Sequence, residues 1–150
     1  MKKIMYVDSE GNTCVVHPVI NIDEQITDDE AFERAYKKLP ANALNIQVVE
    51  PDVVPKDRAF RNAWKLENKS ITVDIPKAKE IWKNKMREAR APKLLSLDTE
   101  YMRADEKGDA VKKADVAAKK QLLRDITTHP DLLAAQTADE IKAVWPATLG

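Results

Sequence analysis

The chain has 150 residues, 43% hydrophobic and 33% charged, which is enough apolar material for one domain or two small units. Its 25 lysines and arginines balance 25 aspartates and glutamates, so no overall field attracts nucleic acid or an anionic membrane. The single cysteine excludes an intrachain disulfide and favours a reducing compartment. No apolar run reaches the roughly 20 residues of a membrane-spanning helix, and the N-terminal run is too short for a signal peptide.

The first half alternates short apolar runs with turn residues, a pattern typical of a small sheet. We expect strands over residues 4–7, 13–20, 45–49 and 71–75, with Gly11 taking a positive φ in the first turn. One helix is predicted from Thr27 or Asp28 to Leu39, because acids fill its first turn and lysines its last.

The segment VVPKDRAFRNAW, residues 53–64, follows the third predicted strand. Pro55 favours extended geometry before it and ends that strand. Asp57 is suited to cap a short helical turn that carries Phe60 and Trp64, four residues apart and therefore on one face. We favour a structural joint here over a binding loop, and we keep Phe60 and Trp64 as candidates for partner binding.

The second half has no strand pattern after Pro76. A long helix is predicted to begin at Asp74 or Ile75, and Pro92 should kink or interrupt it. Gly108 marks a turn, after which a second helix has its apolar stripe at Val111, Ala114, Ala118, Leu122 and Ile126. Two amphipathic helices joined by a short turn should pack antiparallel, which predicts a helical hairpin over residues 93–127.

A last short helix is predicted near the C terminus, where Thr137 and Glu140 have the spacing of a capping box. The predicted fold class is therefore α+β. Residues 1–75 form a small mixed or antiparallel sheet of about four strands with one helix, and residues 76–150 form a C-terminal α-helical hairpin followed by the short final helix.

The chemistry of common enzymes is not recognisable in this sequence. Three glycines can hardly build a phosphate-binding loop or a dinucleotide fingerprint. Cys14 and His17 would lie on opposite faces of a strand, and with His129 they cannot complete a zinc site without carboxylates. We therefore predict a non-catalytic protein with no catalytic residues, no metal and no cofactor.

A basic strip recurs along the long helix. Its members are Lys79, Lys83, Arg87 and Arg90. One interpretation is a surface for phosphate or for an acidic partner, and the other is a solvated face opposite the apolar side of the helix. We favour the solvated face, and we expect these cations to be exposed without binding nucleic acid tightly.

Three segments carry a resemblance to a known family. They read KLLSLDTEYM from Lys93, KKQLLRDITTHP from Lys119 and VWP from Val144. With them the chain resembles the small tail assembly chaperones of tailed bacteriophages over residues 93–146, roughly its last third. The residues that match the family pattern in order within the second segment are Gln121, Leu123, Arg124, Asp125, Ile126, Thr127 and Pro130.

The chain departs from the family at three places, one of which is a longer linker between the helices. Tyr101 stands where a tryptophan is usual, and Lys119 and Lys120 stand where a tyrosine and an arginine are usual. The resemblance implies a tail or tail-fibre assembly factor, or a minor tail component, that acts by protein–protein recognition. It implies a phage tail or tail-fibre protein as partner, and it makes Tyr101 and Trp145 further partner-binding candidates.

The resemblance places the protein in the cytoplasm of the infected bacterial host or in the virion, and it leaves a homo-oligomer open. The alternative function is a small phage regulatory or host-interaction protein that binds nucleic acid or an acidic partner through the basic helix, residues 77–93. Balanced charge and the lack of a nucleic-acid motif count against that alternative. Trp145 has two interpretations, docking on its own chain or anchoring a partner, and we favour the first.

Overall fold

A computed structural model describes residues 1–20 and 26–150 of the chain. Its contacts divide the chain into two units, Met1–Asp74 and Ile75–Gly150. The first unit contains the strands and one helix, and the second is helical, so the predicted α+β class is confirmed. The elements are β1 (Lys3–Val7), β2 (Thr13–Val16), α1 (Asp28–Lys37), β3 (Leu44–Val49), β4 (Trp64–Glu67), β5 (Ser70–Val73), α2 (Ile75–Glu106), α3 (Ala110–Asp125), α4 (Pro130–Ala134) and α5 (Ala138–Ala143).

The strands of the first unit form two antiparallel sheets, where the sequence predicted one sheet. The first sheet has the order β2-β1-β3, and β4 pairs with β5 in a separate hairpin. In the turn between β1 and β2, Gly11 takes a φ of 82°, as expected. The Asp8 carboxylate accepts hydrogen bonds from the amides of Glu10 and Asn12 in that turn, which fixes its shape.

Strand β4 was not predicted, because Trp64 was interpreted as the helical neighbour of Phe60. Asp57 accepts a hydrogen bond from the Ala59 amide, but the helical turn that follows is only the 3₁₀ segment Arg61–Ala63. Trp64 is already extended and opens β4, whose burial alternates residue by residue. Only two of its four residues are apolar, Trp64 and Leu66, and so short a pattern does not separate a strand from a helix; pairing with β5 decides between them.

The hairpin of β4 and β5 packs on one face of the three-stranded sheet. Met5, Val49, Val54, Trp64 and Leu66 form the buried cluster between them. Polar side chains of the sheet strengthen this contact at its margins. The bonds are Thr13 Oγ1 to the Trp64 carbonyl at 2.9 Å, Asn45 Nδ2 to the Leu66 carbonyl at 3.4 Å, and the Lys69 amide to Gln47 Oε1 at 2.6 Å.

Helix α2 runs without a break through Pro92, so the predicted interruption is wrong. Proline removes one intrahelical hydrogen bond, but the chain on both sides of it is held by packing. Trp82 and Met86 are buried before the proline, and Ala104 is buried after it. Tertiary contacts at both ends of the helix therefore outweigh the local preference of one residue.

Helices α2 and α3 form the expected antiparallel hairpin. Gly108 takes a φ of 67° in the turn, and the Asp109 side chain caps α3 by accepting from the Lys112 amide. The contacts across the hairpin follow antiparallel order, because residues later in α2 contact residues earlier in α3. They join Asp105 to Lys113, Asp98 to Lys120, and Arg90 to the carbonyl of Arg124.

Two short helices follow the hairpin. Helix α5 begins with the predicted capping box, in which Thr137 and Glu140 bond each other's backbone amides. Helix α4 was not expected, because the sequence His129-Pro130 was interpreted as a stop. The His129 side chain instead accepts from the Asp131 amide at 3.3 Å, and Pro130 occupies the first helical position, where its missing amide costs nothing.

The turn between β4 and β5 contains two residues with positive φ angles, and the cost of this backbone strain can be measured as stability. Asn68 and Lys69 have φ angles of 46° and 62°, as in a type I′ turn, where glycine is preferred to lysine at the second position. We expect Lys69→Gly to raise the free energy of unfolding by about 0.5–1 kcal/mol, because glycine removes the Cβ clash and keeps the amide bonded to Gln47. Urea denaturation measures the change.

Lys69→Ala is the matched control for this turn, since alanine removes the same side chain but keeps the Cβ. It should give no gain in stability. An equal gain from alanine and glycine would show that the lysine side chain, and not the backbone conformation, causes the strain.

Candidate interaction surface

The hairpin is held together by an aromatic ring between two ion pairs. Lys113 Nζ and Lys120 Nζ lie 5.3 Å and 5.2 Å from the centre of the Tyr101 ring. Lys113 also bonds the Asp105 carboxylate, and Lys120 bonds that of Asp98. The Asp105 hydrogen bond raises the pKa of Lys113, so its ammonium remains charged against the ring.

This arrangement determines which face of α3 lies against α2. Val116, Leu123 and the following Ile126 are buried. Except for Ile126, the predicted apolar stripe of α3 is exposed. We call the exposed part the α3 stripe, and its members are Val111, Ala114, Ala118 and Leu122.

The α3 stripe is apolar over three turns of helix. Val111 is 83% exposed and Leu122 is 59% exposed, and the two alanines between them are exposed as well. Small residues at the centre of such a stripe allow another helix or strand to approach closely. An apolar helix face that the described residues leave exposed is typical of a protein interaction surface.

A groove lies at the Leu122 end of the α3 stripe, between α2 and α3. It has a volume of about 320 Å³. Its lining residues are Lys93, Ser96, Leu97, Lys119, Leu122, Leu123 and Thr148. The leucines are apolar and the two lysines stand on opposite helices, so the groove offers an apolar floor between two cations.

Two further exposed side chains lie on α2. Leu95 is 70% exposed and Met102 is 63% exposed, and their spacing of seven residues places them on one face. Neither residue was among the candidates that the sequence indicated. The signal that could have identified them is their own spacing, which forms an apolar stripe on α2.

The other aromatic candidates differ in exposure. Phe60 and Trp64 are buried within the protein, and Trp64 belongs to the core cluster of the first unit. Trp145 is 38% exposed. Its ring packs edge-on against Trp82 with centroids 5.7 Å apart, and its Nε1 donates to the Gly150 carbonyl at 3.2 Å.

Trp145 also lines a pocket of about 570 Å³ beside α4 and α5. Alanines form much of its wall, and His129, Asp131 and Glu140 are its ionisable members. Glu140 already accepts from the amides of Gln136 and Thr137. The pocket therefore combines an open aromatic surface with few polar groups available to a ligand.

The basic strip is partly structural, and it is not the fully solvated face that the sequence predicted. Lys79 Nζ donates to the Leu133 carbonyl at 2.7 Å, and Arg90 donates to the carbonyls of Leu123 and Arg124 at 3.2 and 2.9 Å. These bonds satisfy carbonyl groups at the ends of α3 and α4. Only Arg87 among the four is exposed, and the others are partly buried.

The remaining two cations of the strip pair along their own helix. Lys83 bonds Glu80 at 2.8 Å, and Arg87 bonds Asn84 and lies 3.8 Å from Glu80. The Lys83 hydrogen bond lowers the pKa of the Glu80 carboxyl, which favours the charged form of this pair. The strip therefore carries less uncompensated charge than its sequence suggests.

The residues considered for metal or redox chemistry are scattered. Cys14 is partly buried in β2 with its Sγ 3.9 Å from Asp8 Oδ2, and His17 is exposed after the strand. Within residues 1–20 and 26–150, no three histidine, cysteine, aspartate or glutamate side chains are grouped to hold a metal ion. None of the helices described in the chain combines the length and apolar character needed to cross a membrane.

Comparison with known proteins adds no relative: no protein-family model, no curated protein and no solved structure matches this chain.

The role of Arg90 can be measured as stability. We expect Arg90→Ala to lower the free energy of unfolding by about 1–2 kcal/mol, because two carbonyls at the end of α3, one of them in a partly buried bond, lose a charged donor. Arg87→Ala is the matched control, with the same change one turn earlier. It should cost less than about 0.5 kcal/mol, since its contacts are exposed. Equal losses in urea denaturation would contradict this role for Arg90.

Trp145 allows a second stability test. We expect Trp145→Ala to cost about 2 kcal/mol, less than the 3–5 kcal/mol of a fully buried tryptophan, because part of the ring is exposed. Leu95→Ala is the control, since that side chain is mostly exposed and should change little. Thermal and urea unfolding of the full chain report both values. An unchanged stability for Trp145→Ala would show that the contact with Trp82 does not hold the C-terminal segment.

Proposed function

We propose that the protein is a phage-encoded, non-catalytic assembly factor or minor component of the tail or tail fibre, which acts by protein–protein recognition through its helical hairpin. The α3 stripe is the observation that carries this proposal. A chaperone for assembly must cover apolar surface of another protein, and this stripe is an apolar helix face of suitable form. The proposal places its action in the cytoplasm of the infected host, where tails are assembled.

One pair of the departures from the family pattern is consistent with the resemblance. Tyr101 replaces the usual tryptophan and Lys120 the usual arginine, and these two side chains are in contact as a cation–π pair. A tryptophan and an arginine at these positions would form the same type of contact. The departures therefore exchange both members of one interaction and leave its physical character unchanged.

The alternative function in nucleic-acid binding receives less support. Lys79 and Arg90 are bonded to backbone carbonyls, and Lys83 and Arg87 lie beside Glu80. Phosphate binding would have to compete with these contacts. A steep fall of DNA or RNA affinity with salt would support the alternative.

The proposal is tested by co-expression with each tail and tail-fibre polypeptide of the same genome. We expect the protein to raise the soluble yield of one of them and to co-purify with it. Ala118→Glu should abolish both effects, because it places a carboxylate at the centre of the α3 stripe. Stability should hardly change, since the position is exposed and glutamate is a good helix former.

Ala117→Glu is the matched control. It makes the same change at the preceding residue of α3, which is also exposed but lies outside the stripe. It should leave solubilisation and co-purification intact. Equal losses from both variants would contradict recognition through the stripe. Failure of every tail and tail-fibre polypeptide to bind the unaltered protein would contradict the proposed function itself.

A further inference from the structure

The groove between α2 and α3 combines an apolar floor with cationic edges. Leu97 and Leu123 form its apolar floor, and Leu122 at its edge is more than half exposed. Its volume of about 320 Å³ is at the lower end of the range for ligand pockets. It has room for anchoring side chains of a docked segment, but not for a whole domain.

The described residues that line the groove carry charge of one sign, although Asp115 beside the groove pairs with Lys119. Lys93 on α2 and Lys119 on α3 are both exposed, and none of the residues that line the groove is acidic. Ser96 and Thr148 add only hydroxyl groups. The balanced charge of the whole chain hides this local excess, which arises where the two helices meet.

Lys119 already pairs with a carboxylate of its own helix, which a carboxylate of a ligand would have to displace. Its Nζ bonds Asp115 Oδ2 at 2.8 Å, one turn earlier on the same helix, and this hydrogen bond raises the pKa of the lysine. Both side chains are more than half exposed, so the pair contributes little to stability. A carboxylate of a partner could therefore exchange with Asp115 at small cost, while Lys119 remains fully charged.

We propose that this groove binds an acidic amphipathic segment of a partner polypeptide, with leucine-like side chains on the leucine floor and carboxylates beside Lys93 and Lys119. The proposal rests on the proposed function in that it names the chemistry of the segment recognised in a tail or tail-fibre protein. Complementary charge is the reason for this choice, because a basic segment would meet two like charges, whereas the carboxylates of an acidic segment can bond Lys93 and take the place of Asp115 at Lys119.

The test uses the full-length protein and two fluorescein-labelled synthetic helical peptides. One has leucines along one face and glutamates on its flanks, and its twin has lysine in place of every glutamate. Fluorescence anisotropy should show that the acidic peptide binds at least about tenfold more tightly than its twin, with a preference that shrinks as salt rises. Amide chemical shifts should change at Leu97, Leu122 and Leu123.

Charge reversal provides the decisive variant. The double change Lys93→Glu and Lys119→Glu should reverse the preference, so that the basic peptide binds more tightly than the acidic one. The matched control is Lys107→Glu with Lys112→Glu, which makes the same change in net charge at lysines outside the groove. It should leave the preference for the acidic peptide in place. Equal binding of the two peptides, or the same loss from both double variants, would overturn the proposal.

The groove and the proposed function can fail separately. If a tail polypeptide binds and depends on Ala118 but not on Lys93 and Lys119, the function stands and the groove proposal is wrong. If the acidic peptide binds with the expected preference but no tail or tail-fibre polypeptide does, the groove chemistry stands and the proposed function is wrong.

Discussion

The contact of Tyr101 with Lys113 and Lys120 is the interaction on which the second unit depends. Each ammonium is held at the ring by an aspartate of α2, so a charged side chain occupies a position that an apolar residue usually fills. The long lysine stems can pack between helices while their charges remain paired. Because these cations face α2, the α3 stripe must face outward. The exposed apolar surface is thus a direct consequence of how the hairpin is closed.

In the same unit, cations also bond carbonyl groups at helix ends, which have no partner within their own helix. Arg90 reaches the last carbonyls of α3, and Lys79 reaches that of Leu133 in α4. Both donors lie on α2, so this long helix organises the segments that follow it. Trp82 on the same helix donates from its indole to the Val144 carbonyl at 2.8 Å in a buried position. Polar bonds from one helix therefore supplement the apolar packing of several short ones.

Much of the fold could be predicted from local patterns. A few neighbouring residues were enough to predict the turn at Gly108, the capping box of Thr137 and Glu140, and the helix start at Ile75. The candidate site was less predictable. Leu122 was predicted to belong to an apolar stripe, but the sequence left open whether that stripe lies in the hairpin core or at an interface. Lys93 and Lys119, the two lysines beside the groove, lie on different helices. No short stretch of sequence contains both of them.

Local patterns in the sequence were sufficient to predict the α+β class, the change from strands to helices near residue 75, and the antiparallel hairpin, because caps, turns and periodicity act over a few residues. Only the tertiary structure decided that Trp64 lies in a strand, that Pro92 lies inside a continuous helix, and that Lys120 lies against the Tyr101 ring. These outcomes depend on pairing and packing between residues distant in the chain. Such contacts outweigh local preferences of about a kilocalorie per mole, and in α3 they turn the apolar stripe towards solvent.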